Sequence, residues 1–348
     1  AAREAFERRR RMSIEDSALP SSLVLVLGMH RSGSSAVARV MSLLGHSLPK
    51  TLIPSNASNR RGHWESQPIA RLNDNFMHDA DLVWSDWGSG LLPRMRSARL
   101  RDFEADLVAH VASEFAAGQP AVLKEPRICR LVAQYRATFE RRLPLSVVIP
   151  VRNPLEVIAS LVQRNNLTEA NAALLWLRYT LDATVGSEGL PRSFISYDRL
   201  LTDPEAALKH AEAALPAPFP VSVAAALPDI RSFLDSGLRT HSRTAEDVLH
   251  NDLTRGWISD AYAALRILAE DPTAARPHDT LARLYREFAA AEPMLHHIIR
   301  SYDQTQAALE RQQEALSAGL ELKKRQVQNL RLALEEAGSA PPLDSEAG

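Results

Sequence analysis

The sequence predicts a three-layer α/β fold, in which helices cover both faces of a mostly parallel sheet. Residues 23–27 and 145–151 are apolar runs with the length and composition of strands that are buried on both faces. Each run is followed by a turn and then by apolar residues at helical spacing, an order typical of parallel sheets. Residues 121–123 and 193–200 supply two further predicted strands.

Composition limits the function classes. The chain has 348 residues, of which 45% are hydrophobic and 24% charged, as in ordinary soluble domains. The formal net charge of −1 provides no basic field for nucleic acid, so we expect no nucleic-acid partner. Cys129 is the single cysteine, which excludes an internal disulfide and favours a reducing, cytoplasmic location. No apolar run approaches the roughly 20 residues that a membrane-spanning helix needs, so we expect no such helix.

Four segments follow from the composition along the chain. Residues 1–20 form an Arg-rich lead-in, and residues 21–300 form the α/β domain. Residues 301–337 have a heptad pattern and predict a helical or coiled-coil extension. The Pro-, Ser- and Glu-containing residues 338–348 predict a disordered tail.

Residues 28–35, GMHRSGSS, join the first predicted strand to the first helix. Such a loop turns backbone N–H groups and a helix N-terminus toward one point, where a phosphate or sulfate is readily held. Gly28 and Gly33 have the spacing of a nucleotide-binding P-loop, but Ser34 and Ser35 replace its Lys-Ser/Thr and the cation is Arg31. This difference favours an anion held without a metal over a nucleoside triphosphate. A glycine turn between a core strand and a core helix is the structural alternative.

This loop resembles the 5′-phosphosulfate loop of sulfotransferases that use 3′-phosphoadenosine 5′-phosphosulfate, in the Arg variant of tyrosylprotein and many carbohydrate sulfotransferases. The resemblance extends over residues 23–241 and implies the P-loop-like sulfotransferase fold and no metal. It also implies that the loop binds the phosphosulfate through Gly28, Arg31, Ser32, Gly33, Ser34 and Ser35.

Three later segments carry the same resemblance. Residues 124–127, KEPR, are similar to the family's Lys-Asp/Glu-Pro-Arg motif, which implies cofactor contacts for Lys124 and Arg127. An Arg directly after the third strand and a Ser eight residues later bind the 3′-phosphate in the family, and Arg152 and Ser160 match both types and the spacing. Arg164 lies one turn beyond Ser160 on the same helix face. A late segment implies two more cofactor contacts, Arg239 and His241.

A polar loop that ends at residues 62–65, GHWE, corresponds to the family segment that supplies the catalytic base. The resemblance therefore implies Glu65 as the base, with His63 in reserve, while Arg31 and Lys124 stabilise the charge that develops on the transferred group. A Glu at a helix start is otherwise a capping residue, and this alternative stays open.

Two indoles in a polar loop, Trp84 and Trp87, predict either a wall for a sugar acceptor or a surface loop that covers a helix. With the family analogy, they favour a carbohydrate acceptor. We interpret Tyr197, at a strand end, as structural, with its hydroxyl bound to backbone. Residues 211–228 are rich in Ala and Pro and predict a surface excursion.

Two other functions remain possible from the sequence. The first is an ATP- and Mg²⁺-dependent small-molecule kinase, against which the missing P-loop Lys and the Arg152/Ser160 pair argue. The second is a non-enzymatic α/β module attached to an assembly through its heptads. Over residues 309–337, apolar residues fall at two alternating heptad positions, which Gln and Lys interrupt. This helix could therefore form a homo-oligomer or pack against the α/β domain of its own chain.

Overall fold

The computed structural model describes residues 18–55, 62–234 and 243–338. The chain divides into two compact units, residues 1–289 and 290–348. The strands are β1 Ser22–Val26, β2 Pro120–Lys124, β3 Leu145–Val151 and β4 Arg192–Ser196. The α-helices are α1 Ser34–Leu43, α2 Gln67–His78, α3 Ser97–Glu114, α4 Val132–Phe139, α5 Pro154–Asn165, α6 Glu169–Gly186, α7 Tyr197–Thr202, α8 Pro204–Ala213, α9 Val223–Phe233, α10 Ala245–His250, α11 Trp257–Glu270 and α12 Ala275–Gly338. Short 3₁₀ turns lie at Leu92–Arg94 and Pro126–Leu131.

The four strands form one parallel sheet in the order β2-β1-β3-β4. Helices cover both faces, so the predicted three-layer α/β class is confirmed. Because the strands are parallel, their carboxyl ends lie on the same edge of the sheet, where open α/β sheets bind ligands. The loop after β1 and the residues Lys124, Arg152 and Tyr197, which end or follow the other three strands, therefore share one edge.

Alternating strand residues divide the core between the two faces, as the two-residue period of a strand requires. Val24 and Val26 of β1 pack in a cluster with α1, α8 and α9. The opposite face packs against α11, which contacts β3 and β4. Burial on both faces explains why the strands read as continuous apolar runs.

Two local predictions were wrong. Part of the Ala/Pro-rich segment 211–228 enters helix α9, in which Val223, Ala226 and Ile230 are buried in the core cluster. Apolar residues three and four apart outweigh the general helix-breaking tendency of Pro228, which lies inside this helix. Strand β4 ends at Ser196, whose hydroxyl accepts a hydrogen bond from the amide of Arg199 and caps the helix that follows.

The C-terminal extension is helical, as predicted. Helix α12 has 64 residues, and the apolar heptad residues in its second part are more than half exposed. Residues 1–17 of the predicted lead-in and residues 339–348 of the predicted tail lie outside the described residues. No helix in the described ranges is long and apolar enough to cross a membrane.

Candidate functional site

The loop between β1 and α1 depends on its two glycines. A side chain at Gly28 would place Cβ 2.5 Å from the Ser32 hydroxyl and 2.8 Å from the ring of Pro150. Gly33 has φ +91°, which favours glycine, and a Cβ there would lie 2.4 Å from the ring of Tyr197. The loop is therefore packed tightly between β3 and α7, and the glycines do more than end a strand.

The loop presents unused hydrogen-bond donors at the start of α1. Gly33 is the N-cap and no side chain caps the helix. In the described part of the chain, the amides of Gly33, Ser34 and Ser35 have no protein acceptor. The hydroxyl of Ser32 is buried, also without a hydrogen-bond partner there. Buried donors of this kind at a helix N-terminus suit an anion.

Lys124, the last residue of β2, connects this loop to the segment before α2. Its ammonium donates to the hydroxyl of Ser35 at 3.1 Å, to the carbonyl of His63 at 3.3 Å and to the carboxylate of Glu65. The Lys124 and Glu65 side chains are 3% and 7% exposed, so this is a buried ion pair. Three segments far apart in sequence therefore meet at one cation.

Glu65 does not cap α2, so the alternative of a helix cap was wrong. The N-cap is Ser66, whose hydroxyl accepts from the amide of Ile69 at 3.4 Å. The carboxylate of Glu65 instead lines a cleft and pairs with Lys124. The ring of His63 lines the same cleft, while its carbonyl accepts from Lys124 and Ser35.

A second group of cations lies between the loop and α5. The Nε of Arg31 donates to the hydroxyl of Ser160 at 2.8 Å. Arg152 donates from Nε to Glu156 at 2.9 Å and from Nη1 to the carbonyl of Arg31 at 2.9 Å. Its guanidinium stacks on the ring of Tyr197, 4.8 Å from the centroid. The remaining nitrogen, Nη2, is buried with no hydrogen-bond partner among the described residues.

Like charges converge in this group. The pKa of the Arg31 guanidinium is lowered by its burial and by the nearby guanidinium groups of Arg164 and Arg152. Arg164, in the last turn of α5, lines the cleft with Glu65 and His63. A guanidinium group whose pKa is lowered by neighbouring like charges is stabilised when an anion binds beside it.

Tyr197 has a structural role, as predicted, but it acts through its ring and not through its hydroxyl. Its ring packs against the backbone of Gly33 and makes a cation–π contact with the guanidinium of Arg152. In the described ranges its hydroxyl makes no hydrogen bond to backbone.

Arg239 and His241 lie outside the described residues. The backbone that follows them is held close to Arg152. The amide of Arg243 donates to Glu156 at 3.1 Å, and the side chain of Asn153 donates to the carbonyl of Thr244 at 2.8 Å.

A cleft of about 390 Å³ opens beside Glu65. Arg127 on its wall is held by Glu125 at 2.5 Å and by Asp74 at 3.0 Å. Burial raises the pKa of Glu125, and Arg127 opposes this shift. The lining combines cations, carboxylates and one indole and comprises His30, Ile53, His63, Glu65, Gln67, Ala70, Arg71, Asp74, Trp84, Arg127, Arg164 and Asn165.

The two indoles of the segment before the first 3₁₀ turn have different roles. Trp84 lines the cleft, whereas Trp87 is 5% exposed and packs against Phe288, so the prediction of a wall formed by both was wrong. Their backbone is fixed: Tyr179 donates to the carbonyl of Trp84 at 2.7 Å and Arg178 to that of Trp87 at 2.8 Å.

His30 is a site residue that the sequence did not single out. Its ring packs edge-on against Trp84, 4.8 Å between centroids, and lines the cleft. Burial, followed by the charges of Arg127 and Lys124, holds its pKa well below the ordinary value, so the ring is neutral near pH 7. Its place inside the loop at residues 28–35 was the available signal, but only the fold shows that it faces the cleft.

No family model matches this chain, and no curated protein matches it. Among solved structures, it is similar to the sulfotransferase domain of the Synechococcus PCC 7002 olefin synthase, with 16% identity and a TM-score of 0.37 over 78% of this chain and 95% of that one. It is likewise similar to a sulfotransferase domain from the curacin biosynthetic pathway, with 17% identity and a TM-score of 0.37 over 76% of this chain and 98% of that one.

Proposed function

We propose that this protein is a sulfotransferase that moves a sulfuryl group from 3′-phosphoadenosine 5′-phosphosulfate to an acceptor hydroxyl. The observation that carries the proposal is the position of Lys124, which bonds both Ser35 of the anion-binding loop and the carboxylate of Glu65. A cation, an anion cradle and a base are the three elements that such a transfer needs, and here they form one connected cluster.

The residues present fit the donor. The free amides of Gly33, Ser34 and Ser35 and the buried Ser32 hydroxyl suit the 5′-phosphosulfate. The 3′-phosphate would take the unused Nη2 of Arg152 and the hydroxyl proton of Ser160, whose oxygen already accepts from Arg31. This pair would distinguish the donor from nucleotides that lack a 3′-phosphate.

In the proposed reaction, the acceptor oxygen attacks the sulfur in line with the leaving phosphate oxygen. The new S–O bond forms as the bond to the phosphate breaks, and the acceptor proton moves to the carboxylate of Glu65. Lys124 and Arg31 stabilise the negative charge on the sulfonate and the leaving 3′,5′-bisphosphoadenosine. When the sulfonate takes hydrogen bonds from Lys124, the carboxylate of Glu65 becomes available as a base.

The acceptor would occupy the cleft beside Glu65, His30 and Trp84. We favour a carbohydrate because an indole face suits a sugar ring and the other walls are polar. Arg71 and Arg164 also line the cleft and have no ion pair within the described ranges, so an acidic group on the acceptor would be accommodated. His63 stays the reserve base.

Calorimetric titration with 3′,5′-bisphosphoadenosine and, separately, with ATP and Mg²⁺ tests the donor class. We expect tight binding of the bisphosphate and much weaker binding of ATP. The reverse order would favour a kinase, and no binding of either would favour a non-enzymatic module. Transfer of labelled sulfate from the donor to a panel of sugars then tests the acceptor class.

A further inference from the structure

We propose that residues 302–334 of helix α12 pair with the same residues of a second copy of this chain in an antiparallel coiled coil of defined register. The proposal does not depend on the function of the cleft. The pairing surface, called the seam below, consists of heptad positions a and d: Tyr302, Gln306, Leu309, Gln313, Leu316, Leu320, Lys323, Val327, Leu330 and Leu334.

Seven of the ten seam residues are apolar, and these seven are exposed in the part of the chain that the structure describes. Leu309, Leu316 and Leu330 at position d are 54%, 67% and 64% exposed. At position a, Leu320, Val327 and Leu334 are 57%, 51% and 72% exposed. The segment spans 33 residues, or about 50 Å of helix, and a stripe of this length at a 3.5-residue period is typically covered by another helix.

A parallel arrangement is unfavourable because it pairs each layer with itself. Lys323 would face Lys323 of the second copy in the interior, where two ammonium groups repel each other. Positions g, which flank a parallel seam, hold Thr305, Gln312, Gly319, Gln326 and Ala333, so they offer no charge to the opposite helix.

An antiparallel arrangement centred on Ala318 pairs apolar with apolar residues in most layers and places Gln306 against Leu330 of the second copy. Leu309 then packs on Val327 of the second copy, and Leu316 packs on Leu320. Of the three polar seam residues, Gln313 and Lys323 share one layer, where the amide oxygen of Gln313 can accept a hydrogen bond from Lys323.

Moving one helix by a heptad in one direction places Gln313 on Leu330 and Lys323 on Leu320, whereas moving it in the other direction pairs Lys323 with Gln306 and places Gln313 on Leu316. Because a buried polar residue is less costly when it meets another, the Gln313–Lys323 layer disfavours the first shift. The second shift moves Glu310 from Lys324 to Ser317 at position e, so the charges at that position disfavour it.

Charges at position e agree with the same register. In an antiparallel pair the e positions of the two helices are neighbours, and this register places Glu310 beside Lys324 of the second copy at both ends. Lys324 now pairs with Glu321 of its own helix at 2.8 Å, and both are 62% exposed. Such an exposed pair is weak and leaves Lys324 able to bind Glu310. Ser317 lies at the centre and faces Ser317 of the second copy.

Sedimentation of the full chain with charge-reversed variants tests the pairing. We expect the wild type to dimerise, and Glu310→Lys or Lys324→Glu to raise the dissociation constant about three- to thirtyfold. The double variant Glu310→Lys/Lys324→Glu should regain most of the affinity. A monomer at every concentration, or no recovery in the double variant, would overturn the proposal.

Cross-linking tests the orientation independently. The variant Ser317→Cys should form a covalent dimer with a short bismaleimide, because its two copies meet at the centre. The control Gln328→Cys lies at an outward-facing position and should not, and Cys129 is 1% exposed, so the wild type gives the background. A dimer in solution that Ser317→Cys fails to cross-link would contradict the antiparallel register.

Discussion

Lys124 and Glu65 form a buried ion pair that joins the end of strand β2 to the segment before helix α2. A buried pair of this kind is costly to break because it leaves an uncompensated charge. The pair holds the carboxylate beside the loop at residues 28–35, and an anion that bound Lys124 would compete for the same ammonium. Donor binding and the availability of Glu65 are therefore coupled in the proposed reaction.

Glu65→Gln tests the proposed base. We expect the rate of a single turnover with labelled donor to fall by about 10²-fold or more, while 3′,5′-bisphosphoadenosine binds at least as tightly as it does to the wild type, because Lys124 loses the carboxylate that competes with the anion. The neighbouring Ser66→Ala is the matched control, because it removes the true cap of α2. That variant loses the cap and the buried hydrogen bond from Ser66 to Glu114, so it should lose more than about 2 kcal/mol of stability and keep its turnover per folded molecule. Retained transfer in Glu65→Gln would exclude the base, and loss of transfer in His63→Gln would move the role to His63.

Arg152→Gln tests recognition of the 3′-phosphate. Glutamine can still donate to Glu156 but lacks the charge and the unused nitrogen. We expect binding of 3′,5′-bisphosphoadenosine to weaken about ten- to a hundredfold, and binding of adenosine 5′-phosphate to change far less. The ratio of the two affinities, measured by calorimetry, is insensitive to a partly unfolded sample. Equal weakening of both ligands would mean that Arg152 does not bind the 3′-phosphate.

Gly33→Ala tests the loop geometry. The substitution combines a left-handed backbone with a Cβ 2.4 Å from the Tyr197 ring, so we expect a stability loss above about 2 kcal/mol. Gly118→Ala has a similar φ of +70° but no atom within 4 Å of the added Cβ, and should lose only about 1 kcal/mol. Thermal unfolding of the two variants compares backbone strain alone, in Gly118→Ala, with backbone strain plus a steric clash, in Gly33→Ala. Equal losses of stability would contradict the tight packing of Tyr197 against Gly33.

His30 predicts a pH dependence of stability. Its folded pKa lies well below the unfolded value of about 6.5, so below pH 6.5 the unfolded chain binds a proton that the folded chain does not. The buried neutral His30 therefore costs no stability above about pH 6.5, and the free energy of unfolding decreases as the pH falls below this value. Replacing His30 with Gln should therefore reduce the loss of unfolding free energy between pH 6.5 and 5 by up to about 2 kcal/mol. Denaturant titrations at both pH values measure it, and an unchanged difference would contradict the prediction.

Deleting residues 302–348 tests the boundary of the extension. Because this segment lies wholly within the second compact unit, the truncated protein should keep its affinity for 3′,5′-bisphosphoadenosine and lose self-association. Calorimetry of the full-length and truncated forms measures the affinity, and sedimentation of the two forms measures the self-association. A truncated chain that fails to fold would place the segment in the core.

The sequence by itself determined the fold class and the order of its main elements. Leu23 to Leu27 and Leu145 to Val151 have the continuous apolar character that burial on both faces imposes, so their strands were visible without the fold. The loop with Gly28 and Gly33 was also visible, because the spacing of its two glycines between a strand and a helix is a local sequence pattern. The helix at Val223–Phe233 was hidden because Ala and Pro-rich composition resembles a surface segment until the core partner is known.

The tertiary structure alone decided which charges meet. Lys124 and Glu65 are separated by 59 positions, and Arg31 and Ser160 by 129, so no local pattern specifies either contact. It also assigned the helix cap to Ser66 rather than Glu65, and it buried Trp87 while leaving Trp84 on the cleft. These outcomes depend on how parallel strands bring distant loops to one edge of the sheet, which is a property of packing and not of the neighbouring residues.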